Sequence, residues 1–235
     1  MFIYDELIQE INNINSSYSL KKLNIDSKSV FKENTNQLIF KDDKAFELGS
    51  GLFKGINVNL VSEDSLEDEI LLIGDDLDSI KKDGNYARIT IASVDSSLIG
   101  KGNVLYNNIR KFDYVKYHFA LDKVMLREST FSKKESLLVS KDALKKDKLN
   151  FSKIGSYLLN KYKELPFVKN VKIIFISLDD YSYDRLNEIV TKSENITKAL
   201  DHLMNKVNMD CHSCSLQVIC NEVEKKAKED FKVED

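Results

Sequence analysis

The chain of 235 residues carries 38 acidic and 35 basic side chains for a net charge of −3, mixed along its length, so no basic stripe offers a nucleic-acid face. Hydrophobic residues make up 42% of the chain, enough at this length to build a core without disulfide or metal staples. The start, Met1-Phe2-Ile3-Tyr4-Asp5-Glu6-Leu7, has early acids and no apolar run of signal-peptide type, and no stretch reaches membrane-spanning length. These features predict a soluble, cytoplasmic protein with neither nucleic-acid nor membrane partners.

Phe2, Ile3, Leu7, Ile11 and Ile14 recur at spacings of three to four, which predicts a helix over 2–14. A polar connection leads to a short strand at 37–41. Ala45-Phe46-Glu47-Leu48 then runs into Gly49-Ser50-Gly51, read as a turn because the longer glycine fingerprint of a phosphate cradle is missing. Strands follow at 56–61, 69–73 and 86–92. The first and third alternate, with Ile56, Val58 and Leu60 on one face, and short links predict a meander. Asp75, Asp76 and Asp78 lack the other ligand positions of a calcium loop and read as a solvated turn.

A helix is predicted over 103–115, short strands over 114–118, 124–127 and 136–140, and a lysine-rich link over 142–150. The helix at 151–164 is stopped by Pro166. Residues 168–177, with Val171, Ile173, Ile174, Phe175 and Ile176, form the cleanest strand, apolar enough to be buried on both faces and central in its sheet. Asp179-Asp180 caps a helix through Val190; further helices cover 195–207 and 216–228. The order predicts an α+β fold, a mixed sheet with flanking helices and a C-terminal helical segment bearing the cysteines. Its divisions are an N-terminal helix and linker (1–40), the α+β domain (41–200) and the cysteine-bearing tail (201–235).

All three cysteines lie in that tail, spaced C-x2-C-x5-C as Cys211, Cys214 and Cys220, with His212 between the first two. Two soft ligands three apart can grip one metal from a single turn, and Cys220 follows within reach. Three readings stand: zinc on three thiolates and His212, a [4Fe–4S] cluster with a fourth ligand from elsewhere, or plain thiols packed as small hydrophobes or joined in a disulfide. His118, between Tyr117 and Phe119, reads as structural or partly exposed, and His202 as a helix-surface residue. Arg110, Lys111 and Arg127 could meet a phosphate or remain solvated charges. No Ser/His/Asp order or nucleophile elbow is present.

Several strings together resemble the middle domain of acetyl-CoA synthase, the β subunit of the CO dehydrogenase/acetyl-CoA synthase complex. They are Ala45-Phe46-Glu47-Leu48, the acidic strand Asp68-Glu69-Ile70-Leu71-Leu72-Ile73-Gly74-Asp75-Asp76-Leu77, and Asp83-Gly84. Asn108-Ile109-Arg110-Lys111-Phe112, His118, Arg127, Phe167-Val168 and Arg185-Leu186-Asn187-Glu188-Ile189 follow in matching order before the cysteines. The resemblance spans roughly residues 40–220 as many weak matches. It implies that family's fold, a reduced iron–sulfur site on Cys211, Cys214 and Cys220, a CoA-type ligand near Arg110 and Arg127, and CO dehydrogenase or a corrinoid protein as partner. The implied role is that of a small metalloprotein of anaerobic one-carbon metabolism. The family's C-G-C pair and its tryptophan are absent, and three cysteines cannot hold a cubane and bridge two further metals, so the nickel chemistry is not carried over. The alternative is a non-enzymatic docking or assembly module with a structural zinc or plain thiols.

Overall fold

The computed structural model describes residues 3–26, 31–35, 38–129, 133–204 and 217–231. In chain order these form α1 (Asp5–Asn15), β1 (Lys21–Leu23), β2 (Lys44–Leu48), β3 (Gly55–Ser62), β4 (Glu69–Ile73), β5 (Tyr86–Val94), α2 (Ser96–Ile99) and α3 (Asn103–Tyr114). A 3-10 turn (Val115–His118) follows, then β6 (Val124–Glu128), β7 (Glu135–Ser140), α4 (Lys141–Lys145), α5 (Phe151–Lys163), β8 (Val168–Ile176), α6 (Tyr183–Met204) and α7 (Gln217–Phe231).

The fold is α+β. A five-stranded mixed sheet has the order β1-β4-β8-β5-β3, and a three-stranded antiparallel sheet the order β2-β7-β6. The apolar run at 168–176 takes the central place, parallel to β4 and antiparallel to β5. Ile173 and Phe175 point to one face and Ile174 and Ile176 to the other, and all four are buried, so both faces are covered. On one face Phe151 of α5 stacks on Phe175 with ring centroids 4.6 Å apart. Helix α6 packs on α1 and β3, and α3 packs on β3. Helix α1 and strand β1 are built into this same core: Leu7, Ile11 and Ile14 are buried in it, and β1 pairs with β4.

The meander is not found. β3 and β5 are parallel neighbours, and parallel strands cannot be joined by a tight turn, so the chain crosses through β4 at the far side of β8. The strand expected at 37–41 lies instead at Lys44–Leu48, paired with β7. Residues 115–118 are helical, and the lysine-rich link contains α4, whose Ser140 cap accepts from Ala143 N. The two helices expected beyond Asp179-Asp180 are one. Leu186, Ile189, Val190, Ser193, Ala199 and Leu200 keep a buried stripe at helical spacing straight through the polar residues 191–195. No helix among the described residues is long and apolar enough to cross a membrane.

Candidate functional site

β3 and β5 alternate in sequence, yet their polar positions are buried. Asn57 pairs with Arg88 and Asn59 with Thr90 across the strands, so all four share one face, the face covered by α5 and the small sheet. Arg88 is fully buried and spends its guanidinium on protein acceptors. Its Nε donates to Glu135 Oε1 at 2.9 Å, its Nη2 donates to Glu135 Oε2, and its Nη1 donates to Thr90 Oγ1 at 2.8 Å and Tyr162 Oη at 3.1 Å. Glu135 opens β7 and faces Glu128, the last residue of β6, in register. A buried arginine needs this many acceptors, because an unpaired charge there would cost several kcal/mol.

The two carboxyls of that register pair differ. Burial acts against the Glu135 carboxylate, but Arg88 outweighs it and holds the group ionised. Burial and the neighbouring Glu135 charge push the Glu128 carboxyl up to about 10, so it is a neutral acid hydrogen-bonded to Glu135. Asn57 Nδ2 donates to Glu128 Oε1 at 3.1 Å. Lys116 Nζ lies 3.7 Å from Glu128 Oε2 and 3.5 Å from Asp113 Oδ1. With Glu128 neutral, Arg88 and Lys116 balance Glu135 and Asp113, which is how four charges stay inside the protein.

Backbone packing fixes the position of Glu135. A Cβ on Gly55 would stand 2.2 Å from the Gly49 carbonyl oxygen and 2.3 Å from that of Glu135. Only glycine lets the loop from Gly49 to Gly55 lie this close to β7.

This charged core opens on a cleft of about 670 Å³ between α3, the 3-10 turn and α6. Tyr4, Tyr106, Tyr114 and Tyr117 line it, with Asn59, Asp113, Lys116, Arg110, Lys133, Glu194, Lys198 and Asp201. Its carboxylates are engaged within the protein. Asn59 Nδ2 donates to Asp113 at 2.9 Å, Tyr106 Oη donates to Asp201, and the Lys133 backbone N–H donates to Glu194 at 3.1 Å. Apart from Lys116, the cations are not so engaged. Among the described residues, the side chains of Arg110, Lys133 and Lys198 have no carboxylate within 4.0 Å. Arg110 lies over the Tyr114 ring, 5.1 Å from its centroid, and Lys133 Nζ donates to Ser193 Oγ at 2.9 Å. Burial, only partly offset by Asp113 and reinforced by Lys116, pulls the Lys133 ammonium below the ordinary lysine range.

Among the residues singled out from sequence, Arg110 lines this cleft and Arg127 does not. Arg127 is exposed, donates to Glu47 Oε1 at 3.1 Å and lines a second cavity of about 620 Å³ bordered by the loop from Gly49 to Gly55. The structure therefore brings Arg110 and Arg127 to different cavities. His118 is exposed at the cleft rim, and His202 lies in the last turn of α6. Asp76 is no isolated solvated residue: its Oδ1 accepts from Phe151 N at 2.8 Å and anchors the start of α5. Cys211, Cys214 and His212 lie outside the described residues. Cys220 is the fourth residue of α7, half-buried and packed against the core.

Sequence reasoning passed over Arg88, Lys116, Glu128, Lys133 and Glu135. A charged side chain within a strand whose other residues are all uncharged was the available signal for the first. Lys133 carried none, since Lys133-Lys134-Glu135 reads as surface charge. No protein-family model matches the chain, and no curated protein matches it.

Proposed function

We propose that the protein binds a small organic anion in the tyrosine-lined cleft, with a carboxylate or phosphate held by Arg110, a polar group facing Lys133, and an apolar or ring portion laid against Tyr106, Tyr114 and Tyr117. One observation carries the reading: the carboxylates of the cleft accept from internal donors, whereas three of its cations line the cavity without a carboxylate partner among the described residues. The result is a pocket whose uncommitted charge is positive, in a volume suited to a nucleotide-sized or aryl-acid ligand. Asn59 joins this cleft to the charged core, because its Oδ1 accepts from Tyr162 Oη at 3.0 Å while its Nδ2 holds Asp113. The test is thermal stabilisation by a panel of organic anions, nucleotides, CoA and oxo acids among them. A true ligand raises the melting temperature of the native protein and of Arg127→Ala but not of Arg110→Ala. A panel with no member that separates these proteins contradicts the reading.

The cysteine tail supports a second reading, independent of the cleft. The chain's donor set of three thiols and one nearby imidazole suits zinc on Cys211, Cys214, Cys220 and His212, or an iron–sulfur cluster that takes its fourth ligand from elsewhere. Cys220 falls in the first turn of α7, where the helix dipole favours a thiolate. A bound cluster would supply electron transfer, and the resemblance to acetyl-CoA synthase would then place the protein beside CO dehydrogenase or a corrinoid protein. Zinc would make the tail a structural docking element. Metal analysis of protein purified without oxygen decides: stoichiometric iron and sulfide support the first form, zinc the second, and neither metal contradicts both.

A further inference from the structure

Lys133 is held unlike any other lysine among the described residues. Its backbone is fixed on two sides, the N–H donating to Glu194 Oε1 at 3.1 Å and the carbonyl accepting from Asn57 N at 2.8 Å. Its half-buried ammonium reaches the cleft and, among the described residues, donates to the hydroxyl of Ser193, itself fully buried on α6, at 2.9 Å. Burial acts first against its charge; Asp113 and Glu194 offset part of that, and Lys116 and Arg110, which share the cleft, add repulsion. A lysine amine desolvated beside other cations is the arrangement that yields a nucleophile toward carbonyl carbon.

We infer that Lys133 forms a Schiff base with a carbonyl-bearing organic anion, an oxo acid, whose carboxylate lies on Arg110. The inference rests on the reading of the cleft as an anion site and names the ligand's reactive group. The neutral Nζ attacks the carbonyl carbon; the C–N bond forms as the C=O π bond opens to a carbinolamine. The nitrogen then gives up a proton, the hydroxyl takes one and leaves as water, and the C=N bond forms. One carbonyl is consumed and one water released, with no oxidant or reductant. Burial pulling the Lys133 ammonium down places more free amine at neutral pH than a surface lysine has. Glu194 lines the same cavity and holds the Lys133 backbone in place, and the proton exchanged at the nitrogen passes to water in the open cleft.

The test uses the whole protein with pyruvate and phenylpyruvate as probes and lactate and phenyllactate as matched anions without a carbonyl. Borohydride is added to trap the imine as a stable secondary amine, and the modified lysine is located by peptide mass spectrometry. The expected result is an adduct at Lys133 in clear excess over the mean of the other lysines, in the direction that a lowered ammonium pKa gives. The adduct should be reduced in Arg110→Ala and in protein saturated with phenyllactate. Because the native protein is mapped directly, the result does not depend on whether Lys133→Met folds. Oxo acids and hydroxy acids that bind equally in calorimetry, with no excess label at Lys133, overturn the Schiff base and leave the anion site standing. Failure of every probe to bind, with label spread evenly over the lysines, overturns the Schiff base and the carboxylate form of the anion site together.

Discussion

Arg88 Nε and Glu135 Oε1 lie 2.9 Å apart with both side chains fully buried, and the second contact from Arg88 Nη2 to Glu135 makes the pair bidentate. This contact joins the middle of β5 in the large sheet to the first residue of β7 in the small one. It sets where β6 and β7, and with them Glu128 and Lys133, stand relative to the cleft.

Arg88→Met should destabilise the protein by about 3–5 kcal/mol, because it strands the Glu135 carboxylate in the core. Arg88→Met combined with Glu135→Leu should cost less than the sum of the two single changes by about 1–3 kcal/mol. Urea denaturation of the four proteins measures the coupling. Additive losses would show that the pair is not the joint described.

The neutral Glu128 makes stability depend on pH with a definite sign. Its carboxyl titrates near 10 in the folded protein and in the ordinary carboxylate range when unfolded. Across that window the folded state binds the extra proton, so this group's contribution falls as pH rises. Glu128→Gln keeps a neutral group of the same shape and removes the dependence. Its stability relative to the native protein should improve by on the order of 1 kcal/mol per pH unit between pH 6 and 9. A constant difference across that range would mean that Glu128 is ionised.

Gly55→Ala places a methyl within 2.3 Å of the carbonyl oxygens of Gly49 and Glu135. Neither backbone can yield without shifting β7, so a loss of about 1–3 kcal/mol is expected. Gly51→Gln, at a glycine whose Cβ would meet nothing, separates packing from backbone effects. It carries the cost of a positive φ, which Gly55 does not have, and no clash, so the two variants report the two effects apart. Equal stability of Gly55→Ala and native protein in thermal melts would contradict the close approach.

The large elements could be read from sequence because their apolar periodicity is strong. The helix at 151–164 and the strand at 168–177 were placed to within a residue or two by Ile154, Leu158, Leu159 and the run from Val171 to Ile176. Sheet order was not legible: nothing in the short links tells that β4 pairs with β8 rather than with β3. Alternation in β3 and β5 identified two faces but said nothing of what covers the polar one. A polar face normally meets water; here it meets Tyr162, Glu128 and Glu135, from distant parts of the chain. Arg110 was legible as a candidate from its basic neighbourhood, whereas the fixed amine of Lys133 depends on Ser193 and Glu194, sixty residues away.

Should the tail hold a metal, Cys211→Ala and Cys220→Ala should each lower metal content and thermal stability together. Cys220→Ala alone lowering stability, with metal content unchanged, would assign Cys220 to packing against the core.

The most direct measurement of the anion site is side-chain NMR on protein carrying 13C-labelled tyrosine, titrated with an organic anion that stabilises it. The account predicts shifts at Tyr106, Tyr114 and Tyr117, smaller ones at Tyr4, and none at Tyr18, Tyr181 and Tyr183, where the Tyr181 ring contacts the other two outside the cleft lining. In Arg110→Ala these shifts should vanish at the same concentration. Movement confined to Tyr18, Tyr181 and Tyr183, or shifts unchanged in Arg110→Ala, would contradict it.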